Sequence, residues 1–245
     1  MPLSCHYRSD QMYNIKRIQG SFETKTLFAD MKSLYANTCC QVYSHKAVFP
    51  AWYTKLNVKG YSLGEALDDY VHEFGSLEHL TFDGFQYQVS KNTKFFKNLH
   101  KYNIDHHVYV PRSPNQNPAE GTIREIKRCF YQVMQQMKLP KNVWDYQSVW
   151  ICDTRNLSLT ISRYAKGQTT LGITTGEIPD ISEYLDFGFY DWVTYLTNSG
   201  LGELSIGKWM GVLHKVGKLM SYLILTVYGR PISYVNFQRL TEEEQ

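Results

Sequence analysis

Long hydrophobic runs are missing from this 245-residue chain. None approaches the roughly 20 apolar residues that a membrane-spanning helix needs. The opening residues, Met1-Pro2-Leu3-Ser4-Cys5-His6, have neither the charged start nor the apolar stretch of a secretory signal. Cysteine is sparse: Cys5, Cys39, Cys40, Cys129 and Cys152 form an odd set without a Cys-x-x-Cys pair. That argues against a disulfide framework and against a zinc knuckle. No internal repeat is visible. An excess of one charge is also missing, since 26 Lys and Arg stand against 23 Asp and Glu, a net charge of +3. What the chain does have is 43 % apolar residues, enough for a real core and too many for a wholly disordered chain. The length suits one large domain or two modest ones. A soluble, intracellular protein is the expectation.

The small total hides segregation. Gly60 to Asp83 carries six acids and no Lys or Arg, whereas Lys91 to Lys141 carries ten bases against Asp105, Glu120 and Glu125. Thr174 to Asp191 has five acids and no base; Gly200 to Leu240 has five bases and only Glu203. Two basic surfaces separated by acidic stretches suit a polyanion-binding protein. Solvated helix faces are the plainer reading of the same pattern.

Local patterns predict a mixed sheet flanked by helices. Residues 1–20 are polar and basic and read as a tail. Residues 22–31, 38–44 and 47–54, rich in Thr, Val, Phe and Tyr, read as strands. Ser62-Leu63-Gly64-Glu65 has capping-box spacing, and a helix of clear apolar period follows it to the stop at Gly75. Strands are expected over 78–82 and 106–110, with a basic amphipathic helix over 94–102 between them. Two further helices span 118–137 and 142–157. Residues 161–184 read as a linker. The runs 189–197, 207–214, 220–228 and 232–238, separated by turns at 200–202 and 228–231, predict a small SH3-like barrel over 185–240.

Two acids stand out, each with an ordinary structural explanation. Asp83-Gly84 sits between alternating apolar runs and reads as a two-residue hairpin turn. Glu120 follows Asn117-Pro118-Ala119, with Asn as helix cap and Pro in the first helical position, an arrangement that requires no chemistry. Their combination suggests more. Asp83 ends a strand, Glu120 opens a helix, and Glu120, Arg124, Lys127 and Arg128 share one helix face. A carboxylate beside cationic side chains suits a metal held next to nucleic-acid phosphates. Adjacent pairs do not suit a metal: His106-His107 and Cys39-Cys40 point to opposite faces of a strand, and one buried thiol is expected from the cysteine pair. Trp144, Tyr146 and Trp150 read as helix packing.

At these residues the chain resembles the integrases of retroviruses and retrotransposons. The resemblance rests on Leu80-Thr81-Phe82-Asp83-Gly84, on the stretch from Pro111-Arg112-Ser113-Pro114-Asn115-Gln116-Asn117-Pro118-Ala119-Glu120, and on Ile123-Arg124-Glu125-Ile126-Lys127-Arg128. Between Asp83 and Glu120 lie 36 residues, against about 35 in the family. It covers about residues 20–160 and extends more weakly over 185–240. It implies a ribonuclease-H-like core over 21–160, in which two Asp and one Glu hold two divalent ions, Mg2+ or Mn2+. Such ions activate a water or a DNA 3′-hydroxyl and stabilise the leaving oxygen. Asp83 and Glu120 would be two ligands, and Arg124, Lys127 and Arg128, with Gln116 and Asn117 nearby, would hold DNA.

The first carboxylate of the family is absent from its place. Thr24-Lys25-Thr26-Leu27-Phe28 matches the first-strand context with lysine in the Asp slot. Asp30 is the nearest acid, with 52 residues between it and Asp83, but five residues beyond Lys25 it faces the other way in a continuous strand. If Lys25 takes the slot, strand transfer is lost and the chain is a decayed or repurposed integrase that keeps its scaffold. If Asp30 does, metal-dependent DNA integration survives. The resemblance further implies DNA partners (element ends and target), action in the nucleus, assembly as a homo-oligomer and a chromatin contact through the barrel. It implies no membrane partner, and no zinc is expected, since only Cys5 and His6 precede residue 20. A non-enzymatic DNA- or chromatin-binding module on the same scaffold is the main alternative. A nuclease related to ribonuclease H is a third.

Overall fold

Short turn-bounded runs of β-branched and aromatic residues give ten strands among the described residues. The computed structural model describes residues 15, 17–45, 53–57, 62–84, 90–109, 118–158, 167–175, 178, 180–197, 203–213 and 221–240. Strands β1 (Arg17–Phe28), β2 (Cys39–His45), β3 (Tyr53–Asn57), β4 (Ser76–Phe82) and β5 (Asp105–Val108) form one mixed sheet in the order β3-β2-β1-β4-β5. Here β1-β2 and β2-β3 are antiparallel, and β1-β4 and β4-β5 are parallel. Parallel neighbours need crossovers, supplied by helices α1 (Leu63–Phe74) and α2 (Lys94–Lys101).

Because β1 lies in the middle, its alternating side chains feed two cores. Phe22 points with Leu80 and Phe82 of β4 into a cluster closed by Leu67 and Val71 of α1 and by Phe95 and Leu99 of α2. Leu27 points the other way with Cys40 and Val42 of β2. That second face is covered by α3 (Pro118–Met137) and α4 (Trp144–Leu157), through Ile126, Trp144 and Ile151. Full burial of each such side chain contributes roughly 1.5–3 kcal/mol. Two-sided burial also corrects the cysteine expectation: Cys39 and Cys40 face opposite ways, yet both are buried.

Element boundaries differ from the sequence reading in instructive places. β1 starts at Arg17, within the stretch read as a tail. The capping box at Ser62 is not made: its side chain caps nothing, and α1 ends at Gly75, whose φ of 118° few other residues adopt. The cap that does form is Thr93 on α2, whose hydroxyl accepts from the Phe96 N–H at 3.3 Å. A 3-10 turn over Lys141–Val143 precedes α4. Within the expected linker, Thr170–Thr175 (α5) and Ser182–Leu185 (α6) are helical. The hairpin expected after Asp83-Gly84 and the turn at 200–202 lie outside the described residues.

The C-terminal part is a second, wholly antiparallel sheet, β10-β6-β7-β8-β9. Its strands are β6 (Trp192–Leu196), β7 (Leu204–Leu213), β8 (Ser221–Thr226), β9 (Pro231–Tyr234) and β10 (Phe237–Arg239). The expected SH3-like barrel is corrected here to an open sheet, since no ladder joins the edge strands β9 and β10 among the described residues. Val193, Tyr195, Trp209 and Ile224 form its core. Gly207 is obligatory there: a Cβ would sit 2.4 Å from Ile224 Cγ2 and 2.9 Å from the Leu225 carbonyl oxygen.

The two sheets share hydrophobic surface. Leu139 and Val143, from the connection between α3 and α4, pack with Phe189, Met210 and Leu225 of the C-terminal part. Truncating Phe189 to alanine is expected to cost about 3–5 kcal/mol. Because that side chain belongs to both parts, the whole chain should unfold in one transition at lower denaturant. Circular dichroism and tryptophan fluorescence followed together check this; two separate transitions, only one of them shifted, would contradict it.

Candidate functional site

The helix-covered face of the sheet that carries Leu27 also carries Glu23 and Lys25, two residues apart on β1. The register pairs Thr24 with Phe82, so the next residues along the parallel strands, Lys25 within β1 and Asp83 just past the end of β4, lie side by side. Glu120 is in the first turn of α3. Lys25 Nζ donates to Glu120 Oε1 and lies 3.3 Å from Asp83 Oδ2. One ammonium thus bridges the two carboxylates that the sequence marked. Burial opposes its charge, but the hydrogen bond from Lys25 to Glu120 and the field of Asp83 outweigh burial and hold the Lys25 pKa above the ordinary 10.5. A pKa raised by folding contributes stability that is complete below 10.5 and lost as the pH climbs through the folded value. The bridge therefore stands throughout the neutral range.

Asp30 is elsewhere. β1 ends at Phe28, and Ala29 pairs back onto the Thr38 carbonyl. Asp30 is exposed and lines an apolar hollow with Met31, Phe130 and Tyr131. Sequence parity already turned Asp30 away from Asp83, and the end of the strand removes the register change that would have returned it. Gln116 and Asn117 lie outside the described residues.

A residue that sequence reasoning passed over completes the site. Glu23 is fully buried, accepts from the Tyr109 hydroxyl at 2.8 Å and from the Ala119 N–H at 3.1 Å. Ala119 precedes Glu120, so Glu23 anchors the first turn of α3, where backbone donors otherwise lack partners. Burial first, then the hydrogen bond to Glu23, push the Tyr109 pKa far up, which keeps its proton on the oxygen to donate. The only sequence signal was an acid two residues before Lys25 in a segment read as a strand.

The cationic face of α3 is partly neutralised. Arg124 and Lys127 are exposed, and neither makes an ion pair among the described residues. Arg128 instead donates to Glu125 at 2.6 Å and 2.9 Å, and Arg155 of α4 reaches the same carboxylate at 2.5 Å. These guanidinium contacts, Arg128 foremost, hold the Glu125 carboxyl below its ordinary range. Similarly, Lys94 of α2 meets Asp68 of α1 at 3.1 Å, and Lys101 meets it at 3.6 Å. The basic and acidic blocks of the sequence therefore neutralise one another across the fold in part.

The residues present do not suit a pair of divalent ions. Two carboxylates and an ammonium form the cluster, and among the described residues no three His, Cys, Asp or Glu side chains are grouped to hold a metal. A lysine at the centre of the donor set repels the cation that the carboxylates would attract. No helix among the described residues is long and apolar enough to cross a membrane.

No known family model matches the sequence, and no curated protein does. Among solved structures, the chain is similar to one in a simian T-cell lymphotropic virus intasome in complex with the PP2A regulatory subunit B56 gamma, at 15% identity and a TM-score of 0.47, covering 91% of this chain and 81% of that one. The HTLV-2 integrase catalytic core domain in complex with magnesium is similar in its trimeric form at 16% identity and a TM-score of 0.46, covering 63% of this chain and 95% of that one. In its dimeric form the values are 17% and 0.47, with 65% and 97% covered.

Replacing Lys25 by aspartate would face three carboxylates toward one another. The Lys25→Asp chain is expected to melt below the parent in chelator, and to regain stability when millimolar Mg2+ or Mn2+ is added. The parent's melting temperature should not respond to either ion. A thermal-shift series in both ions reads the difference, and an equal metal response in the two chains would count against the bridge.

Proposed function

We propose that this chain is a non-catalytic, integrase-like nucleic-acid-binding protein, descended from an enzyme of DNA strand transfer. The single observation that carries the reading is the Lys25 ammonium between Asp83 and Glu120. Two-metal phosphoryl chemistry needs carboxylates that are free to hold cations against attacking and leaving oxygens. Here both are engaged with a side chain that cannot bind metal at neutral pH. The motif residues around Asp83 and Glu120 support descent from the integrase family, and the mixed sheet supports a core of the ribonuclease-H type over 21–160. On this reading 161–184 connects that core to a C-terminal unit over 185–240, an open antiparallel sheet that takes part in DNA or chromatin contacts.

The sheet-helix body then acts as a scaffold for phosphate contacts. Arg124 and Lys127 project from α3 without ion-pair partners among the described residues and are assigned to the DNA backbone, a sequence-independent role. Arg128 is held by Glu125 and contributes less.

Strand-transfer assays with duplex DNA in Mg2+ or Mn2+ are expected to give no product, while the same protein retards DNA in a salt-dependent way. Converting Arg124 and Lys127 to alanine should weaken binding uniformly across sequences and lower the salt slope by about 1 for each residue. Robust strand transfer that disappears in Asp30→Ala would overturn the non-catalytic reading. Binding that ignores both salt and the double substitution would overturn the nucleic-acid one.

A further inference from the structure

A hollow opens beside Asp30, lined by Phe28, Met31, Phe130 and Tyr131. It has a volume of about 420 Å3 and opens between the end of β1 and the middle of α3. Its rim exposes apolar surface that a monomer ordinarily hides: Phe28 is 65% exposed and Tyr131 59%, with Met31 beside them. Lys127 and Lys141 also line it and are exposed, and neither makes an ion pair among the described residues. The hollow is therefore apolar at its centre and mainly cationic at its edge, with Asp30 its one acid.

A second surface has the opposite character. Between α5 and β6, Ile178 is 98% exposed, Leu185 is 72% exposed, and Ile181 is exposed with them. Asp180 and Asp186 flank these residues and are exposed, in a stretch whose five acids from Thr174 to Asp191 are accompanied by no Lys or Arg. The C-terminal end of the strip is held to the body. Tyr184 donates its hydroxyl to Asp153 of α4 at 3.1 Å, and the Phe187 ring stacks on Trp209 of β7 at 6.0 Å.

We propose that the acidic apolar strip of one copy seats in the basic-rimmed apolar hollow of a second copy. Ile178, Ile181 and Leu185 supply the apolar anchors, Phe28, Met31 and Tyr131 receive them, and the carboxylates of Asp180 and Asp186 approach Lys127 and Lys141. Apolar contact supplies the affinity, and charge complementarity selects the pairing and its orientation. Lys127 is shared with the DNA contact proposed above and Lys141 is not, so the association is measured in the absence of nucleic acid.

Sedimentation of the full chain over a range of concentrations and salt tests this. Reversible self-association that weakens with salt is expected. Ile178→Asp, at a position too exposed to disturb the fold, should raise the dissociation constant by at least about tenfold. The pair Lys127→Glu and Lys141→Glu should do the same, as should the pair Asp180→Lys and Asp186→Lys. Mixing these two charge-reversed chains should restore a complex that neither forms alone, because the reversed strip then meets the reversed hollow. Circular dichroism and melting temperatures confirm that each chain is folded. A parent that stays monomeric at its highest soluble concentration overturns the proposal. So does an association that survives either Ile178→Asp or the Lys127 and Lys141 reversal, and so does a mixture that fails to reassociate.

Discussion

A single ammonium between two carboxylates ties two strands and a helix start together at one point of this molecule. Lys25 comes from the middle strand, Asp83 from the end of its parallel neighbour, and Glu120 from the first turn of the helix that crosses both. Without a cation at that point, two acids would face each other just beyond the end of β4, with solvent as their main relief. Because the cation is covalently part of β1, it needs no loading and cannot exchange. The helix α3 is fastened at the same end by a second acid, Glu23, which takes the Ala119 N–H. Strand β1 thus sends two alternate side chains of opposite charge to one helix terminus. The first satisfies backbone donors and the second compensates a side-chain acid.

That arrangement belongs to the backbone before it belongs to the side chains. The backbone geometry that brings a strand end, its neighbour and a helix start together is set by the parallel β1-β4 register and by the cores on both faces of the sheet. None of this depends on what the converging side chains are. The scaffold tolerates a lysine there, since an ion pair at the site is at least as easy to fold as a cluster of like charges.

Much of this was legible before the structure. Apolar period located α1 and α3, and Pro118 marked the start of α3 correctly, because helix signals are local. Parity along β1 was enough to turn Asp30 away from Asp83. The position of Lys25 beside both acids was open to inference only through resemblance, since no local rule ties residue 25 to residues 83 and 120. Glu23 escaped notice because its partners, Tyr109 and Ala119, are distant in sequence and one of them is a backbone group. The charge blocks misled for a related reason. Linear segregation suggested separate surfaces, but crossovers place α1 beside α2, so Asp68 meets Lys94 and Lys101. The closure of the second sheet depends on long-range pairing, which turn signals alone do not specify.

The shared cluster of Leu139, Val143, Phe189, Met210 and Leu225 has a mechanical meaning. A hinge between two bodies requires surfaces that separate at little free-energy cost, and here separation would expose aromatic and aliphatic side chains to water. The C-terminal sheet is accordingly a fixed extension of the helical layer, and its faces keep a constant bearing relative to the Lys25 cluster. A long rigid ligand that touched both would read their separation as a ruler does, accepting one spacing and penalising the rest.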